Sequence, residues 1–192
     1  MRREGAGPGA GGSIPQIRLA NGQIIPALGL GTFGSDLYSA EQIAGAVEFA
    51  IRNGYRHIDC ASVYMNEKEI GHILTKLIRE GVVRREELWI TSKVWNDAHG
   101  EGEVLAACEK SLTDLQLEYL DLYLVHWPFP NYHAPGCDGD ARNPASRPYI
   151  HEEYMVAWRQ MEQLVERGVV KSIGTSRSTS CSIWRHATMY SS

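Results

Sequence analysis

The stretch GYRHIDCASVYMNEKEIG, residues 54–71, carries the pattern on which the fold turns. Gly54 stands where a left-handed stop falls after the helically spaced Ile43, Val47, Ala50 and Ile51. Residues 57–61 follow as a short strand, with Asp59 near its end. Asn66 and, three residues on, Glu69 then cap a second helix. Its Ile70, Ile73, Leu74, Leu77 and Ile78 share one face until Gly81 ends it.

The same alternation runs outward in both directions. On the N-terminal side, apolar residues in 17–25 flank Asn21-Gly22, a dipeptide suited to a tight hairpin turn. Residues 27–33 read as a short buried strand, and Ser39 with Gln42 forms a capping box for the first helix. On the C-terminal side, residues 88–94 are a third strand, followed by a helix carrying Leu105, Cys108, Leu112 and Leu115. Residues 121–126 are a fourth strand. A loop at 128–150, rich in Pro, Gly, Asn and Asp, leads to a fourth helix with Tyr154, Trp158, Met161 and Val165 on one side and Gly168 at its end. Residues 169–176 are a fifth strand. Strict alternation with short connections implies a parallel sheet with right-handed crossovers, which fits both a doubly wound sheet and a (β/α)8 barrel. Beyond Ser176 the chain is rich in Ser and Thr and has neither period.

Composition narrows the function. The chain has 192 residues, 43% hydrophobic and 22% charged, as expected of one globular domain. Nineteen Lys and Arg against 23 Asp and Glu leave a net charge of -4, with no basic stripe to neutralise phosphates, so nucleic acid is not expected as a partner. No run approaches the roughly 20 apolar residues of a membrane span, so no membrane association is expected. Residues 1–13 lack the apolar core of a signal peptide and read as a disordered tail of a cytoplasmic protein. The four cysteines, Cys60, Cys108, Cys137 and Cys181, show no paired spacing and suit reduced thiols. The histidines form no metal-binding motif, so no metal is expected.

In parallel α/β folds the chemistry gathers at the strand C-termini. Three strands end in an ionisable residue, Asp59, Lys93 and His126, and Tyr64 lies just past the second strand. Singly, each has an ordinary role: Asp59 capping a turn, Lys93 reaching solvent, His126 bonding a carbonyl, Tyr64 packing. Together they form a proton-donating set. An ammonium beside a phenol stabilises the phenolate left after donation, a carboxylate holds the ammonium, and an imidazole bonds an oxygen where negative charge develops. That serves a carbonyl receiving hydride, with the hydride drawn from a cofactor.

Residues 54–71 resemble the first signature of the aldo-keto reductases, and the resemblance extends over residues 17–176. It implies a (β/α)8 TIM barrel, NADPH as cofactor, and an aldehyde or ketone as substrate. By that similarity Tyr64 is the general acid, Lys93 assists it, Asp59 positions Lys93, and His126 orients the carbonyl. A glutamate at the position of His126 accompanies steroid double-bond reduction in the family, so His126 implies carbonyl chemistry. The resemblance also implies cofactor contacts at Gly31, Thr32, Phe33, Asp59 and Ser176, and a substrate pocket of Phe33, Trp95, His126 and Trp127.

The barrel so implied is incomplete. A full one takes about 250 residues, whereas this chain holds an N-terminal hairpin, about five strands and four helices. The expected division is a tail at 1–13, a partial oxidoreductase domain at 14–176 and a divergent tail at 177–192. Arg177 stands where the family's second signature has the asparagine that follows Ser176. Beyond it the pattern breaks as at a shifted reading frame, an alternative exon or a gene-model boundary. A chain truncated there is expected to bind NADPH weakly or not at all and to self-associate through unpaired strand edges. The alternative to a carbonyl reductase is a non-catalytic barrel remnant, either a binding or auxiliary subunit or an inactive fragment.

Overall fold

A β-hairpin opens the described part of the chain. In the computed structural model, which describes residues 14–34, 36–128 and 149–175, β1 (Gln16–Arg18) and β2 (Ile24–Pro26) pair antiparallel. Leu19 N–H donates to Gln23 O at 2.8 Å, and Gly22 N–H to Leu19 O at 3.0 Å. Only Gly22 of the Asn-Gly pair takes a positive φ, +84°, so the expected two-residue turn is replaced by a longer loop with glycine at its left-handed position. Asn21 is thereby freed for a distant bond described below.

The remaining elements alternate: β3 (Leu30–Gly31), α1 (Ala40–Arg52), β4 (His57–Asp59), α2 (Glu67–Arg79), β5 (Trp89–Val94), α3 (Glu103–Leu115), β6 (Leu122–Val125), α4 (His151–Glu166) and β7 (Ile173–Thr175). Ser39 Oγ accepts the N–H of Gln42 while Gln42 Oε1 accepts the N–H of Ser39, the capping box expected at α1. Glycines take left-handed φ at the expected helix stops Gly54, Gly81 and Gly168.

All five strands are shorter than expected, two of them only at their end residues. Within 27–33 only Leu30–Gly31 pairs, and Leu28 is exposed. The strand at 57–61 ends at Asp59, because Ser62–Tyr64 winds into a 3-10 turn. The fifth, expected at 169–176, is regular only over Ile173–Thr175, preceded by a single bridge from Val170 to Leu120. On α4 the buried positions are Tyr154, Ala157, Gln160, Met161 and Leu164, whereas Trp158 and Val165 are only half-buried. The expected stripe is thus rotated toward Gln160. Readings that concern residues 1–13, 129–148 and 176–192, including the tail, most of the loop, Cys137, Ser176 and Cys181, lie outside the described residues.

Strand order decides between the two candidate folds. The order β3-β4-β5-β6-β7 is sequential and parallel throughout, with none of the reversal that defines a doubly wound sheet. The helices follow in the same order, α1 against α2, α2 against α3 and α3 against α4. This is an incomplete (β/α)8 barrel. Ile58, Ile90, Val94, Tyr123 and Val125 point into the core beneath the helices. The register carries Gly31, Asp59, Thr91 and Leu122 along one row, and Lys93, Leu124 and Gly174 along another. With side chains alternating along each strand, both rows lie on the opposite, concave face.

Two polar clusters fix the framework. At the strand starts Asp121, 3% exposed, accepts from Ile90 N–H at 2.9 Å, Arg85 at 2.8 Å and Lys171 at 3.2 Å. Both cations also lie over the Tyr119 ring, at 3.9 and 4.0 Å from its centroid. Under the helices Glu67 accepts from Ser92 Oγ at 2.5 Å and Ser111 Oγ at 2.9 Å, tying α2 to β5 and α3. Burial pushes the Glu67 carboxyl above the ordinary carboxylate range. Cys60 and Cys108 are buried free thiols, and among the described residues no helix is long and apolar enough to cross a membrane.

At Gly71 the backbones of α2 and α3 come so close that an added Cβ would collide with Asp114 O and the Leu115 backbone. Gly71→Ala improves helix propensity by about 1 kcal/mol but overpacks the contact at a cost of about 1–3 kcal/mol. The expected outcome is net destabilisation in urea unfolding, whereas Gly45→Ala, where nothing lies within 4 Å, is expected to stabilise.

Candidate active site

Register alone brings three of the predicted residues together. Asp59 lies beside Thr91 across β4 and β5, and Lys93 is two residues beyond Thr91, so both face the concave side at its C-terminal rim. Lys93 pairs with Leu124 of β6, and His126, two residues past Leu124, continues that face. Tyr64 is delivered separately, by the Ser62–Tyr64 turn that follows β4.

Lys93 is the centre of the group. It is 5% exposed, so the reading in which it reaches solvent is overturned. Its ammonium donates to Cys60 O at 2.8 Å, Asp59 Oδ1 at 2.9 Å and Tyr64 Oη at 3.3 Å. Three donors thus meet three acceptors. Because Tyr64 Oη accepts from Lys93, the phenol's own hydrogen is left to point elsewhere.

Aromatic rings surround the phenol. Phe33, 62% exposed, meets the Tyr64 ring edge-on at 5.2 Å between centroids, and His126 meets it at 5.9 Å and 85°. Trp95 lies 4.8 Å from His126 and 5.9 Å from Trp127. Phe33, Trp95, His126 and Trp127, the predicted pocket residues, therefore form one continuous patch with Tyr64. Gly31 faces the concave side, and a Cβ there would meet nothing within 4 Å. Ser176, the remaining predicted cofactor residue, lies outside the described residues.

The rim loops are laced by Thr32, a predicted cofactor contact, and by Ser62, Asn66 and Asn96, which sequence reasoning did not assign to the site. Thr32 donates to Asp59 O through both its N–H and Oγ1, each at 3.0 Å. Asn66, expected to cap α2, makes no side-chain cap bond; its Nδ2 donates instead to Thr32 O at 2.8 Å. Ser62 Oγ donates to Lys93 O at 3.3 Å, and the fully buried Asn96 accepts the Trp127 N–H at 3.1 Å. These partners lie about thirty residues apart along the chain, where no local pattern could show them.

Two further histidines are largely removed from solvent. His57 lies on the concave face two residues before Asp59, with Nε2 3.2 Å from Thr91 Oγ1, and burial lowers its pKa. His99, in the segment joining β5 to α3, is 6% exposed, and neither ring nitrogen has a protein partner. Burial pushes it down to about 4. Cys60 is fully buried and its thiol is pushed far up, so it offers no thiolate for chemistry. Among the described residues no three metal-binding side chains gather.

The chain is similar to known proteins over nearly all of its length. The family model described as Aldo/keto reductase family matches residues 27–189. Aldose reductase B of Dictyostelium discoideum is 46% identical over 160 residues, covering 79% of this chain and 50% of that protein. Aldo-keto reductase family 1 member A1 of Rattus norvegicus is 44% identical over 170 residues, covering 85% and 50%. Among solved structures, an aldo-keto reductase of Bombyx mori in complex with NADP superposes with a TM-score of 0.71 at 36% identity, over 85% of this chain and 50% of that one. The chain spans about half the length of the curated relatives it matches.

His99 makes stability depend on pH. Its folded pKa, about 4, lies below the ordinary 6.5, so on acidification the unfolded chain takes up a proton that the folded chain refuses. Stability contributed above pH 6.5 is lost as pH falls toward 4, by about 2–3 kcal/mol at pH 4.5. Urea unfolding at pH 7.5 and 4.5 is expected to show this loss, and His99→Leu to remove most of it.

Proposed function

Because the chain belongs to the aldo/keto reductase family, we propose that its site reduces the carbonyl of an aldehyde or ketone with NADPH, with Tyr64 as the proton donor. The observation that carries this reading is the Lys93 ammonium shared between Asp59 and Tyr64. The substrate oxygen lies between Tyr64 Oη and the His126 ring and accepts hydrogen bonds from both. As negative charge grows on that oxygen, Tyr64 gives up its hydrogen. The phenolate so formed is stabilised by the ammonium, whose position Asp59 and Cys60 O hold in advance of the reaction. His126, set edge-on between Tyr64 and Trp95, orients the carbonyl.

None of these side chains can donate a hydride, so the donor must come from outside the chain. The residues present fit the nicotinamide end of NADPH. Gly31 faces open space, Asp59 lies beside it in the register, and the exposed Phe33 ring packs against Tyr64. When bound, the nicotinamide supplies the hydride. Phe33, Trp95 and Trp127 give the substrate an aromatic wall that excludes water from the proton transfer.

The test is NADPH oxidation by the 192-residue chain in the presence of a simple aromatic aldehyde. With NADPH in excess, turnover is expected, and Tyr64→Phe is expected to lower kcat by about 100-fold or more; the variant is expected to fold with a lower melting temperature, because Lys93 loses one of its three acceptors. A Tyr64→Phe variant as active as the parent removes the proton-donor assignment. A folded parent that oxidises no NADPH overturns the reductase reading and favours a binding subunit.

A further inference from the structure

Two backbone features immediately after Tyr64 run against local preference. Met65 sits in the left-handed region at φ +55°, which costs a non-glycine residue of order 1 kcal/mol. Asn66 stands at the N-cap of α2, where a side-chain cap bond typically contributes about 1 kcal/mol, yet it makes none. Its amide turns away from the helix and donates to Thr32 O at 2.8 Å. Only the Nδ2 end can face a carbonyl, which fixes the amide's orientation. Asn66 is 1% exposed, and its Oδ1 is buried without a partner. Broken local rules of this kind gather where position matters more than stability.

The bond closes a circuit through the site. It begins at Asp59 O, which holds Thr32 by two hydrogen bonds, and passes from Thr32 O to Asn66. It continues through the left-handed Met65 to Tyr64, across to Lys93, and back to the Asp59 carboxylate. Tyr64 is held at its hydroxyl by Lys93 and, two residues on, through the Asn66 side chain. The same tether fixes the loop carrying Phe33, whose ring packs against Tyr64.

We infer that Asn66 is a positioning residue for Tyr64: its side-chain amide ties the Tyr64 turn to the loop bearing Thr32 and Phe33, and the cap of α2 is given up for that tie. The inference rests on the reading of Tyr64 as proton donor for its catalytic consequence, but the geometry it asserts does not depend on turnover. A misplacement of about 1 Å near a reacting group can lower rate by about 100-fold, so loss of the tether registers in kcat before KM.

Asn66→Ser and Asn66→Asp separate positioning from helix capping. Both side chains are competent N-caps, but serine is too short to reach Thr32 O and aspartate has no donor for it. In both variants the ring-to-ring nuclear Overhauser contact between Phe33 and Tyr64 is expected to weaken at least about twofold. kcat is expected to fall about tenfold or more with KM for the aldehyde within about twofold. Parent-like ring contacts and kcat in a folded variant overturn the inference, whatever happens to the melting temperature. Should neither variant fold, the parent decides: slow exchange of the Asn66 side-chain amide protons is expected, and exchange as fast as that of an exposed asparagine overturns the inference. A parent with no turnover removes the proposed function, and the ring-contact and exchange measurements still decide whether Asn66 holds Tyr64.

Discussion

A buried ammonium has to find three acceptors, and Lys93 organises the rim of this barrel around that need. Left unpaired at such depth it would shed its proton or disrupt the fold. Asp59 and Cys60 O meet two of its three donors from the end of β4, and the third reaches across to Tyr64. One of these acceptors ends the strand paired with β5, one is the next residue and one lies in the turn beyond, so the ammonium joins β5 to the whole β4–Tyr64 segment. The same bonds that make Lys93 tolerable in the fold also put a positive charge next to a phenol. Structure and chemistry here share one set of contacts.

The parts of the fold that depend on nearby residues were legible in the sequence. Ser39 and Gln42 cap each other across three residues, and the helix stops at Gly54, Gly81 and Gly168 need only the glycine itself. The alternation of elements was equally plain. The order of the strands was not, because a barrel and a doubly wound sheet share the same local text and differ only in which strand each new one pairs with. At Asn66 the sequence predicts a cap and the structure shows a cross-loop tether, since a carbonyl 34 residues away in the chain competes for the same amide. On α4, apolar spacing favours Trp158, but Gln160 takes the buried position because its Nε2 reaches Gly100 O at 2.9 Å.

The candidate site was legible for a related reason. Asp59, Lys93 and His126 each lie at the end of a strand, and in a parallel sheet strand ends converge on one rim without any further instruction. Tyr64 belongs to no strand, and its placement depends on the 3-10 turn, the left-handed Met65 and Asn66, none of which has a strong sequence signal. Phe33, Trp95 and Trp127 came from the family resemblance rather than from this rim logic, although each lies just beyond a strand end. What stayed hidden was the lacing by Thr32, Ser62, Asn66 and Asn96, whose bonds join loops that are neighbours only once the strands are in order.

The two ends of the sheet divide labour, and their polar groups show how. At the strand starts Asp121 is saturated by Arg85, Lys171 and the Ile90 N–H, and both cations cover Tyr119. The hairpin is fastened there too, through Asn21 Nδ2 to Ser172 Oγ at 2.9 Å and through the contact of His57 Nδ1 with Pro26 O. Every one of those partners is another part of the protein. At the strand ends the pattern changes: Tyr64 accepts from Lys93 but keeps a hydrogen to give, and Phe33 exposes most of its ring. Charges paired with one another at one end, against a hydrogen held in reserve at the other, distinguish the groups that hold the barrel together from those available for a reaction.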